Sequence, residues 1–145
     1  MPALFDHPGL RFSYPENWRI EPSEETGGLR SVTVLAPGTA YWTLTVYPAE
    51  SSPVSLVQVA VTAMQEEYRE LELEEASESY AGREMAGCDM RFQFLDLTNT
   101  ASIRWFREAD GLYLVMWQAE DREYDAHSPV FEAMTISLIQ GLVKS

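Results

Sequence analysis

The segment Leu112-Tyr113-Leu114-Val115-Met116-Trp117 is apolar at every position, so as a strand it needs cover on both of its faces. An antiparallel sheet can leave one face wet, but a strand of this kind is stable in such a sheet only when something packs on each side. That requirement points to a layered fold with a sheet in the middle. The preceding segment, Ala101 to Glu108, also reads as a strand. Ala109-Asp110-Gly111 between the two reads as a tight hairpin turn, with Asp-Gly supplying a positive φ.

Two helical patterns are available as cover. In the first, Ser55 is placed as N-cap with Gln58 at capping-box spacing, and Val54 and Val59 have the spacing of a hydrophobic staple. Leu56, Val59, Ala60, Ala63, Met64 and Tyr68 then form an apolar stripe. In the second, Ser128 is the N-cap, Pro129 the first helical residue, and Phe131, Met134, Leu138 and Leu142 the stripe of a helix from Pro129 to Leu142.

Alternating patterns give the remaining strands: Leu10 to Tyr14, Trp18 to Ile20, Ser31 to Leu35, Tyr41 to Tyr47, an acidic edge strand from Leu71 to Ala76, and Cys88 to Leu97. Glu21 to Leu29 reads as a polar loop, Gly82 and Gly87 as brackets of a turn-rich stretch, and Thr98-Asn99-Thr100 as a turn. The sum is a single α+β domain over 1–145: an antiparallel sheet of about six or seven strands flanked by helices on both faces, a three-layer sandwich.

The opening Phe12-x-Tyr14-Pro15-x-x-Trp18, followed by two strands, a helix, a strand meander and a closing helix carrying Phe131-x-x-Met134-x-x-Ser137-Leu138, resembles the PsbP-like superfamily. That group includes the extrinsic oxygen-evolving subunit of photosystem II, a yeast Ran-interacting nuclear-import factor, and bacterial DcrB-like, DUF1795 proteins. The resemblance extends over nearly the whole chain and implies the PsbP-like sandwich. Its motifs are core residues, so what it implies about activity is broad: a non-enzymatic binding, assembly or chaperone role. Some bacterial relatives resemble secretion-effector chaperones that shelter apolar helices. No residues match a Ran-binding set.

Charge narrows the partners. Ten basic against 23 acidic side chains give −13, which repels phosphate backbones and anionic lipid, so nucleic acid is not an expected partner. The N-terminus shows no basic region followed by an apolar run, and no window reaches the roughly 18 to 20 apolar residues of a membrane span. A cytoplasmic location without membrane insertion is the expectation. The single Cys88 rules out an intrachain disulfide.

Nucleophilic catalysis would have to draw on Cys88 or Ser128, His7 or His127, and Asp89 or Asp125. A lone cysteine in a strand is more often a small buried hydrophobe, and Ser128 is already assigned to a cap, so no catalytic residue, cofactor or metal is assigned. Residues 7, 88 and 127 are too scattered for a zinc site, and the acidic run from Glu66 to Glu78 lacks the pattern of a calcium loop.

The expected function is therefore protein interaction, with a partner that is basic or presents an apolar helix. Trp42, Trp105 and Trp117 are the candidate aromatic contacts, and Glu72 and Glu74 the candidate acidic ones. A homodimer in which Trp105 and Trp117 face outward on adjacent strands is a further expectation. The alternative is a small-ligand site or degenerate enzyme with a pocket near Cys88 and His127.

Overall fold

A computed structural model of the chain describes residues 2–7, 10–24 and 30–143. Its elements in order are β1 (Pro2–His7), β2 (Leu10–Pro15), β3 (Arg19–Glu24), β4 (Arg30–Leu35), β5 (Tyr41–Tyr47), α1 (Pro53–Glu67), β6 (Glu72–Tyr80), β7 (Arg83–Phe94), β8 (Leu97–Glu108), β9 (Gly111–Glu120) and α2 (Asp121–Val143). Seven strands form one sheet in the order β3-β4-β5-β9-β8-β7-β6, every neighbouring pair antiparallel, while β1 and β2 form a separate two-stranded ribbon. The strand β9, which carries the apolar run Leu112 to Trp117, is thus central, between β5 and β8.

Both of its faces are covered. Tyr113, Val115 and Trp117 join Trp42, Leu44, Phe131, Met134 and Leu138 in a core beneath α2, to which β2 adds Leu10 and Phe12. Leu114 and Met116 join Met90, Ile103 and Val61 in a second core beneath α1. The ribbon is tied to α2 by Ser13 N–H donating to Ser137 Oγ at 2.8 Å, and a Cβ on Gly141 would lie 2.5 Å from the carbonyl oxygen of Arg11. Each large side chain so enclosed contributes about 1.5–3 kcal/mol of burial free energy, so the two cores make the α+β sandwich the stable arrangement.

Several local expectations are corrected. α2 starts not at Pro129 but at Asp121, directly after β9, because the Glu120 carboxylate accepts from Arg122 N–H at 3.1 Å and caps the helix. Asp121 and Glu123 suit the positive end of its dipole, which leaves Pro129 inside the helix and Ser128 without a capping role. α1 starts earlier too: Ser52 is the N-cap, its Oγ accepting from Ser55 N–H at 3.2 Å, and Pro53 opens the helix. Val54 and Val59 are exposed, so they form no staple.

The turns also shift. Leu95 and Asp96, both with positive φ, join β7 to β8, and Thr98-Asn99-Thr100 belong to β8. Ala81 and Gly82 make the β6–β7 turn, whereas Gly87 lies within β7, where a Cβ would meet the Ile103 carbonyl oxygen at 1.8 Å. Gly111 needs no positive φ; it opens β9 where a Cβ would press on Val46 and the Tyr47 carbonyl. β1 adds to the expected strands, β3 takes residues 21–24 of the expected loop, and Gly27-Gly28 lie outside the described residues. Trp18 sits in the turn before β3, its indole edge-on to His127 and Phe131 of α2.

Candidate functional site

On the α1 side of the sheet, residues of β6, β7 and β8 face the helix across a gap. Ser77 of β6, Ala86 of β7 and Trp105 of β8 are cross-strand neighbours, and the first two are too short to reach α1. Between them and the helix lies an open groove of about 590 Å³. Val54, Val57 and Val61 form its helical wall, Leu73 and Glu75 its edge, and Trp105 its far end. Val54 is 76% exposed and Leu73 48%, although both border a groove that is chiefly apolar.

Cys88 lines the floor and is buried. Burial first, and the nearby Asp89 second, push its thiol pKa up against the lowering effect of Arg104. It is held as the thiol, the weakly nucleophilic form. His127 lies in the other layer, its ring 5.1 Å from that of Trp18, so the expected pocket joining Cys88 to His127 does not form.

The α2 side carries a polar cluster where the sequence showed only a strand. Arg104, with its side chain 3% exposed, is paired with Glu78 and with Asp89 at 2.9 Å, and donates to the carbonyls of Cys88 and Ile103 at 3.1 and 2.9 Å. Its guanidinium lies 5.6 Å from the centre of the Trp117 ring. Burial lowers its pKa, but the hydrogen bond to Glu78 and the charge of Asp89 outweigh that and raise it, so the cation is fixed.

Ser102 Oγ donates to Asp89 at 2.7 Å, while Thr100 Oγ1 and Arg91 both donate to Asp121, at 2.9 and 3.0 Å. Beside these pairs Glu72, Glu74 and Asp125 line a cleft of about 530 Å³. Among the described residues no group of His, Cys, Asp and Glu is arranged to hold a metal ion.

The five candidate contact residues separate. Trp42 is 0% exposed, its Nε1 donating to Thr135 Oγ1 at 3.2 Å, and Trp117 is 4% exposed between Arg104 and Phe131. Both are core, not surface. Trp105 is half-buried in the groove on the opposite face, because it pairs with Leu114 whereas Trp117 pairs with Ser102. A dimer contact burying Trp105 and Trp117 together is thereby overturned. Glu72 and Glu74 are exposed on β6, as expected of an acidic edge.

Comparison with known proteins supports the architecture alone. No family model matches the chain, and no curated protein does. Among solved structures it is similar to the cyanobacterial PsbP (CyanoP) of Synechocystis sp. PCC 6803, with a TM-score of 0.60 at 12% identity over 94% of this chain and 90% of that one. It is also similar to PA94 of Pseudomonas aeruginosa, a protein of unknown function, with a TM-score of 0.50 at 12% identity over 94% and 95%. A third, LpqN of Mycobacterium tuberculosis, involved in cell envelope biogenesis, matches at a TM-score of 0.45 and 11% identity over 92% and 86%. The chain has the PsbP-like fold.

Proposed function

We propose that this PsbP-like chain is a non-enzymatic protein-binding module and that the groove between α1 and the β6–β7 edge receives a segment of the partner. The observation that carries the reading is the half-buried Trp105 at one end of an open groove whose borders expose Val54 and Leu73. Apolar side chains gathered at a concave surface favour a binding role, whereas single exposed ones do not. Tryptophan in a partly enclosed pocket is also the residue type in which binding energy concentrates. A catalytic reading has less support, since Cys88 is held as a thiol on the floor and Arg104 is fixed in ion pairs.

Selection of a random-peptide display library on the immobilised protein tests this whatever the partner is. Peptides that enrich should perturb the Trp105 indole resonance and lose at least about tenfold in affinity on Trp105→Ser, with the circular dichroism spectrum unchanged. Enrichment of peptides indifferent to Trp105→Ser, or no enrichment, would overturn the reading.

A further inference from the structure

Resting on that reading of the groove, the form and charge of the partner segment can be derived from β6. This strand ends the seven-stranded sheet and pairs with β7 alone among the described residues. Its hairpin turns through Ala81 and Gly82. Counted from the Tyr80↔Arg83 pair, antiparallel alternation leaves Leu73, Glu75, Ser77 and Ser79 with backbone N–H and C=O directed away from β7. An uncovered edge of this length is a template for another strand.

The side chains decide which strand. Glu72, Glu74 and Glu78 stand on the α2 side of the sheet, and Leu73, Glu75 and Ser77 on the α1 side beside the groove. A second copy of the chain is disfavoured, because pairing β6 with β6 sets glutamates against glutamates. An acidic or neutral strand gains nothing from Glu72 and Glu74, whereas a basic one is attracted to both and by the net charge of −13.

We propose that β6 accepts, by strand addition, an extended basic segment of a partner protein. Its alternate Lys or Arg residues face Glu72 and Glu74, and its intervening apolar residues lie against Leu73 at the mouth of the groove that ends in Trp105. A helical partner would fill the groove but leave the edge amides open, so amide exchange separates the two.

The probe is an end-blocked peptide of the same nine-residue length as β6, alternating lysine with valine, titrated into the full chain labelled with nitrogen-15. On saturation, exchange of the Leu73, Glu75 and Ser77 amides should slow by at least about tenfold while amides elsewhere hold their rates. Affinity should fall as salt rises from about 0.05 M to about 0.5 M. The double variant Glu72→Lys/Glu74→Lys should weaken binding by about tenfold or more. Ser77→Pro, a change an edge strand tolerates, should abolish the protection.

Equal binding by both of two N-methylated peptides, one methylated at the valine amides and one at the lysine amides, would overturn strand addition, since one of the two sets must face β6. So would movement of the Trp105 resonance without protection of the β6 amides, an outcome that leaves the groove standing as a binding surface. If neither this peptide nor any display-selected one disturbs β6 or Trp105, both readings fail.

Discussion

Arg104 is the residue that the chain can least afford to leave without counter-charges. In the sequence it is one charge inside Ala101 to Phe106, an otherwise mostly apolar strand, and that interruption is the available signal of a buried ion pair. Removing Glu78 and Asp89 together, as Glu78→Gln/Asp89→Asn, leaves a buried cation with neutral partners. It should cost about 3–5 kcal/mol in urea unfolding. Arg104→Met removes the charge itself and keeps most of the volume against Trp117, so it should cost less than the double variant. The reverse order would mean that the hydrogen bonds to Cys88 and Ile103, not the charge, hold the site.

Tyr113 gives a pH dependence at the same scale. Burial first, then its hydrogen bond to Asp110 and the charge of that carboxylate, push its hydroxyl up to about 12. An unfolded tyrosine ionises near about 10, so below that pH both states hold the proton and the stabilisation is whole. Between about 10 and about 12 the unfolded chain releases the proton that the native state keeps, and about 2–3 kcal/mol is lost as pH rises. Tyr113→Phe should make urea unfolding less pH-dependent between about pH 9 and about pH 11. The slope that persists belongs to Tyr80, Tyr41, Tyr68 and Cys88, each of whose pKa values is raised first by burial.

At the scale of elements, strands and their facing residues are legible in the sequence, and ends of elements are not. The alternation of Tyr41 to Tyr47 places Trp42, Leu44 and Val46 on the buried face, since a period of two admits no other choice once one face is apolar. Helix starts escape it because several polar residues compete for the cap and tertiary context chooses. Ser52 caps α1 in place of Ser55, and a glutamate, Glu120, takes the place expected of Ser128. Ser52→Ala should therefore destabilise the fold by about 1 kcal/mol while Ser55→Ala changes it by less than about half that, measured by thermal unfolding. Gly87 is ambiguous for a related reason: glycine marks turns and close backbone approaches alike. Gly87→Ala forces a methyl group onto the Ile103 carbonyl and should cost more than about 3 kcal/mol, with β7 and β8 pulled apart.

Across the whole molecule, the sandwich is legible because one strand demands two covers, whereas the groove is not. Which of four tryptophans reaches the surface depends on pairing register: Trp105 opposite Leu114 and Trp117 opposite Ser102 fall on different faces, because the hairpin turns on Ala109 and Asp110 with Gly111 already paired to Glu108, one residue fewer than the turn expected from the sequence. The net charge of −13 and this division of the rings together fix how the protein should respond to quenchers. Trp42, Trp117 and Trp18 are buried, so Trp105 should supply nearly all of the quenchable fluorescence. A neutral quencher such as acrylamide reports that exposure alone. Caesium should quench more strongly than iodide at low salt, because the field of an acidic molecule concentrates cations and depletes anions near Glu75 and the β6 edge, and the difference should shrink as added salt shortens the screening length to about 3 Å at about 1 M. Trp105→Phe should remove the quenchable component for all three reagents and leave the far-ultraviolet circular dichroism intact. If the variant keeps that component, another indole is at the surface, and the division of the aromatic residues between two cores and one groove is wrong.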